Sequence, residues 1–160
     1  MKDLLRVVEE LRLTIQEHRH LLIRNEFLVR YALIDPLLRA LDWDTENPAQ
    51  VRPEVSLSVG RPDYALLQDG KVIMFLGAKA LGKSEDLDKL ISYCNAEGVP
   101  YFTATDGVRW QVYEVFKPVP TPQKKIVEFD LESMEPGEAI RNALALWRLA
   151  PLGSPAPPAI

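Results

Sequence analysis

Asp63 follows Pro62 in "GRPDYALLQDGK", and Lys79 closes the apolar run "KVIMFLGAKA". An aspartate can bind a hard divalent cation, while a lysine can orient an attacking water and stabilise developing negative charge. Placed on one face of neighbouring strands, the two have the makings of a metal-assisted phosphodiesterase. Mg²⁺ dehydrates reluctantly and favours a second carboxylate. The position between them on that face is Gly77, which supplies none. Glycine in a strand interior also costs ordering entropy and offers nothing to pack.

Whether Asp63 and Gly77 meet depends on the hairpin at Asp69 and Gly70. A two-residue loop sets Asp63 opposite Leu76. A three-residue loop, Asp69 to Lys71 with Gly70 in a left-handed bulge position, sets it opposite Gly77, and this is the preferred register. Side chains alternate along a strand, so Gly77 and Lys79 share a face that Asp63 then joins. Gly77 reads first as the mark of a lost carboxylate. It also reads as a bulge or close-approach glycine with the carboxylate supplied from elsewhere, or as a replacement introduced into the chain. Glu54 and Glu85 are the candidate substitutes. Glu54 ranks higher because a strand position can face the same side.

Other reactive side chains are weaker candidates. His18 and His20, two apart on a predicted helix, do not share a face and make poor metal ligands. Trp110 and Tyr113 read as packing on the sheet, with stacking on a base as the alternative for Trp110. Cys94 is the single cysteine, which leaves no internal disulfide and no multi-cysteine zinc site, and it reads as a packed thiol.

Residues 2–22 carry Leu4, Leu5, Val8, Leu11 and Ile15 at helical spacing, an amphipathic helix laid on the core or, alternatively, a dimer contact. Asn25 caps a second helix, which Pro36 either kinks or restarts with Asp35 as cap. The period then changes. "VRPEVSLSV", "RPDYALL" and "KVIMFLGAKA" predict three strands, followed by a helix over Glu85 to Ala96 capped by Ser84. "YFTAT", "RWQVYEVF" and "KIVEFDL" predict three more strands, and Pro136 to Leu149 a last helix. The expected fold is α/β, a mixed sheet flanked by helices with an amphipathic helix in front. Residues 1–150 form one domain in this reading: an N-terminal helix (1–24), a core (25–116), and a C-terminal strand and helix (117–150). Residues 151–160 read as an unstructured tail.

The 160 residues have a net charge of −4, which argues against nucleic-acid binding through overall charge but leaves room for a local basic groove. Candidates are Arg24 and Arg30, Lys79 and Lys83, and Lys124 and Lys125. No apolar run is long enough for a membrane span and no signal peptide is evident, so a cytoplasmic, membrane-free location is expected.

"LIDPLLRALDWD", "VRPEV", "GRPDYALLQDGKVIMFLGAKALG", "LDKLISY" and "TDGVRWQVYEV" occur in that order. From about Asn25 to Val115 the chain resembles the N-terminal nuclease domain of type I restriction enzyme R subunits, within the PD-(D/E)xK restriction-endonuclease-like superfamily. By that resemblance Pro62 and Asp63 match the PD element, Lys79 the terminal lysine, Glu26 a helical glutamate that helps hold metal, and Tyr93 the tyrosine of a glutamine-x-x-x-tyrosine motif. Three positions depart from the pattern. Gly77 stands in the acidic slot, Lys89 in the glutamine slot, and Asp106 where the turn usually has asparagine. The resemblance implies Mg²⁺ or Mn²⁺ as cofactor, double-stranded DNA as partner and a role in restriction-modification. The departures imply lost or impaired cleavage, with a DNA-binding or assembly role. Two alternatives stand beside it: an active endonuclease with a relocated carboxylate, and an interaction module without nucleic-acid affinity that pairs through the N-terminal helix. No P-loop is present, so the chain does not translocate DNA alone.

Overall fold

A computed structural model describes residues 3–148 and 151–153. Helix α1, Leu4–Leu22, buries Leu4, Val8, Leu11, Ile15 and Leu22 in the core, while Leu5 points outward, 51% exposed. Its apolar stripe is therefore spent within the chain. Asn25 caps α2, Glu26–Val29, by accepting the Leu28 N–H at 3.0 Å.

A π-helical turn, Arg30–Ile34, then leads into α3, Asp35–Ala40, whose first turn holds Pro36. Proline there donates no hydrogen bond, and the wider turn before it takes up the mismatch. Asp35 does not cap the restart. Its carboxylate accepts the Tyr64 hydroxyl at 2.7 Å instead.

Six strands follow in spatial order equal to chain order: β1 Val51–Pro53, β2 Tyr64–Gln68, β3 Lys71–Ala78, β4 Tyr101–Thr105, β5 Arg109–Glu114 and β6 Lys125–Asp130. All neighbours are antiparallel except β3 and β4, which α4, Leu87–Glu97, joins as a crossover. Helix α5, Pro136–Ala143, runs on into a 3₁₀ turn at Leu144–Leu146, shorter than the sequence predicts.

β1 is also shorter than expected. It ends at Pro53 because Glu54 takes a left-handed φ of 51°, which breaks the extended run. α4 is capped by Asp86, which accepts the Lys89 N–H, and not by Ser84. Residues 151–153, expected in the unstructured tail, form a short 3₁₀ turn, and Leu152 packs against the core. Residues 154–160 and Leu149 lie outside the described residues.

The sheet separates two apolar clusters. Trp43, Trp110, Phe129 and the buried faces of α1, α3 and α5 pack on one side; Phe75, Phe102, Tyr113 and Cys94 pack under α4 on the other. Trp110 stacks on Phe129 and Tyr113 on Phe102, so both aromatics are committed to the core. Burial pushes the Cys94 thiol up to about 12, as suits a packed, inert cysteine.

The hairpin register reproduces the expected opposition by another route. Asp69 and Gly70 form a two-residue turn with φ of 52° and 79°, and Gln68 pairs with Lys71. A bulge then shifts the register, because Leu67 pairs with Val72 but Leu66 with Met74, which leaves Ile73 as the extra residue. Tyr64 consequently faces Leu76, and Asp63, the residue before it, reaches the level of Gly77.

Candidate functional site

Gly77 and Lys79 alternate with Ala78 along β3 and so face the α4 side, with Asp63 entering β2 beside them. The Asp63 carboxylate is fixed there by the Ala78 N–H, which donates to Oδ2 at 2.7 Å. Together with Glu26, Glu85, Lys89 and Tyr93 these residues line one polar pocket of about 150 Å³.

Glu85 is the residue the sequence undervalued. A Cβ built on Gly77 would lie 2.7 Å from Glu85 Oε2, so the Glu85 carboxylate fills the space that a side chain at position 77 would take. Its own side chain is only 5% exposed, and Lys79 Nζ lies 4.0 Å from its Oε1. The loop between β3 and α4 bends it there. Lys79 N–H donates to the Thr105 carbonyl, Gly82 turns with a φ of 86°, and the Gly82 N–H donates to Asp106 Oδ2 at 3.0 Å. Asp106 also accepts the Val108 and Arg109 N–H groups, three donors that need only a carboxylate, so aspartate serves this turn well.

Glu54, ranked above Glu85 from sequence, sits elsewhere. Past the end of β1 it is ion-paired to Arg30 at 3.5 Å and Arg61 at 3.6 Å, outside the lining of the acidic pocket. Glu26, at the first turn of α2, does line the pocket. Lys89 lies at the rim with its Nζ 5.9 Å from the Tyr93 ring centroid. Tyr93 itself is buried against Gly60, where any Cβ would strike the ring at 2.4 Å.

Arg30 ties the site to the helices. Its Nη1 is 3.9 Å from Asp63 Oδ1, its Nη2 donates to the Asp63 carbonyl at 3.4 Å, and its guanidinium lies 4.8 Å over the Tyr64 ring. Sequence reasoning placed Arg30 only in a basic groove.

No protein-family model and no curated protein matches the chain. Among solved structures, the chain is similar to one from a cryo-EM structure of a DrdV–DNA complex, at 20% identity and a TM-score of 0.56. The likeness covers 92% of this chain and 14% of that one, so this chain spans a small part of its neighbour. The fold is restriction-endonuclease-like. Within it the mixed sheet, the flanking helices and the leading α1 agree with the architecture expected from sequence. Among the described residues no helix is long and apolar enough to cross a membrane.

The pocket sets three carboxyls, Glu26, Asp63 and Glu85, among three basic side chains, Arg61, Lys79 and Lys89. Burial raises the Glu85 carboxyl above its usual range and Asp63 raises it further, while Lys79 opposes them. Burial likewise raises Asp63, against the Ala78 N–H and Arg30. Glu26 is raised by burial and then by Asp63. Burial is the first cause of all three shifts, and a bound cation would offset the cost of keeping these carboxylates ionised.

A pH dependence follows. With folded values above the unfolded ones, these carboxyls hold protons that the unfolded chain has lost. Their contribution to stability is complete below the ordinary carboxylate range and disappears as the pH rises through the raised folded values. In metal-free protein Glu85→Gln should therefore melt a few degrees above the parent at pH 7, with the gap closing as the pH falls to about 4, the usual carboxylate range. Thermal melts across that interval check it; a variant that melts below the parent at pH 7 would refute a net cost of burying the Glu85 charge.

Proposed function

We propose that the chain is a metal-dependent DNA endonuclease module, related to the N-terminal nuclease domain of type I R subunits, in which Glu85 replaces the carboxylate absent at Gly77. The observation that carries this reading is the Glu85 carboxylate lying in the volume of a residue-77 side chain, beside Lys79. It favours the active alternative over lost cleavage.

The residues present fit Mg²⁺. Among the described residues no three His, Cys, Asp or Glu side chains converge into a cage. Mg²⁺ does not need one, because it is held by one or two carboxylates together with waters and substrate phosphates. Asp63 and Glu85 are the two that would hold it, with Glu26 at the edge of the same pocket. Bound there, the ion would polarise the phosphodiester and make water a better nucleophile.

The chain supplies the rest. The Ala78 N–H and Arg30 fix the Asp63 carboxylate, which limits the reorganisation needed when charge develops. The Lys79 ammonium orients water and stabilises negative charge on the phosphate oxygens. DNA as substrate is supported by the DNA in the neighbour's complex and by exposed Arg61, Lys83 and Lys89 near the pocket. The test is nicking of supercoiled plasmid by the purified chain with Mg²⁺ or Mn²⁺. Cleavage that stops with EDTA is expected. Silence in both metals, with DNA binding intact, would return the reading to a cleavage-deficient DNA-binding module.

A further inference from the structure

Next to the acidic pocket lies a larger cavity of about 450 Å³, formed by α2, the π-helical turn and β1. Phe27 and Tyr31 stand on its rim, four residues apart on one helical face. At 59% and 73% they are more exposed than any other large apolar side chain among the described residues. Arg30 forms one wall, its guanidinium 5.6 Å from the Phe27 ring centroid and 4.8 Å from that of Tyr64. Arg30 Nη1 is also 3.9 Å from Asp63 Oδ1, so a lining residue of the cavity contacts a lining residue of the acidic pocket.

Charge decides what the cavity can hold. Asp35, Glu46 and Glu54 outnumber Arg30 and Arg39 along its lining, and a phosphate would meet that excess of carboxylates unfavourably. A neutral, planar ring suits it better. Its faces can lie on exposed aromatics and its exocyclic N–H groups can donate to carboxylates. The volume falls within the roughly 300–1,000 Å³ of small-ligand pockets.

We propose that this cavity receives an unstacked nucleobase from the DNA strand beside the cleaved phosphate, so that DNA with an unpaired nucleotide is preferred to perfect duplex. The inference rests on the reading of the chain as a DNA-acting module. Extruding a base from an intact duplex costs unpairing and unstacking energy that an unpaired nucleotide does not incur.

The experiment measures binding without divalent metal, so cleavage does not enter it. Fluorescence anisotropy compares three labelled DNAs: a perfect duplex, the same duplex with one bulged adenine, and the same with one bulged abasic site. The parent should bind the adenine bulge roughly tenfold more tightly than the other two, within the usual range for one stacked base. Phe27→Ala combined with Tyr31→Ala should remove that preference and leave duplex affinity and melting temperature unchanged. Both side chains are exposed, so the fold does not depend on them. In the parent, 2-aminopurine at the bulge should be quenched on binding, and in the double variant it should not. Equal affinity for adenine and abasic bulges, or a preference that survives in the double variant, would overturn the proposal alone. Failure to bind any of the three DNAs would overturn it together with the DNA reading.

Discussion

Glu85→Ala should lower Mg²⁺-dependent cleavage by roughly two to three orders of magnitude, the loss typical when one group that stabilises transition-state charge is removed. Adding Gly77→Glu to that variant should restore most of it. A side chain at position 77 and the Glu85 carboxylate compete for one volume, since a Cβ on Gly77 would come within 2.7 Å of Glu85 Oε2 and 3.1 Å of Leu90 Cδ1. Gly77→Glu alone therefore crowds two carboxylates into a buried place and should give no gain in rate. Once Glu85 is shortened to alanine, the space opens and the strand position can hold the carboxylate itself. Plasmid nicking by the parent, both single variants and the double variant, titrated with Mg²⁺, is the measurement. A parent that cleaves and a Glu85→Ala that cleaves equally well would exclude Glu85 as the replacement. A silent parent made active by Gly77→Glu alone would mean that the site lacks its second ligand.

The elements that bear this site were largely legible in the sequence, and the path between them was not. Short apolar, β-prone runs bounded by turn residues marked β2 to β6, and the 3.6-residue stripe of Leu4, Val8, Leu11 and Ile15 marked α1, whose one buried face imposes that period. The opposition of Asp63 and Gly77 was foreseen through a three-residue loop. The chain achieves it with a two-residue turn and a bulge at Ile73, since turn and bulge shift the register by the same single residue. Sequence periodicity registers only their sum.

Glu54 and Glu85 lie where the sequence did not place them for a similar reason. Glu54 was expected in a strand, but its left-handed φ ends β1 and turns its side chain to Arg30 and Arg61. Glu85 was expected at the start of a helix capped by Ser84. It reaches the strand because Gly82 reverses the loop and Asp106, far along the chain, anchors the Gly82 N–H. Contacts between loops distant in sequence carry no local pattern.

Lys79→Met should reduce cleavage by a similar factor, roughly two to three orders of magnitude, while changing metal-free DNA affinity by less than about threefold, as expected for one phosphate contact among several. Methionine keeps the stem that packs at the end of β3 and removes only the ammonium, so the fold and the Asp63–Ala78 hydrogen bond should persist. The two variants should differ in their response to metal. In Glu85→Ala the missing group is a ligand, and higher Mg²⁺ should recover part of the rate. In Lys79→Met the ion's carboxylates remain, and no Mg²⁺ concentration should compensate. Lys79→Arg should not rescue either, because the planar fork is wider than an ammonium and meets the buried Glu85 carboxylate 4.0 Å from the native Nζ. Nicking rates against Mg²⁺ concentration, with anisotropy in EDTA as the binding control, separate these cases. A Lys79→Met protein that keeps its rate while Glu85→Ala loses it would leave the carboxylates and their ion as the whole of the catalytic apparatus, with Lys79 reduced to the counter-charge that keeps Glu85 ionised.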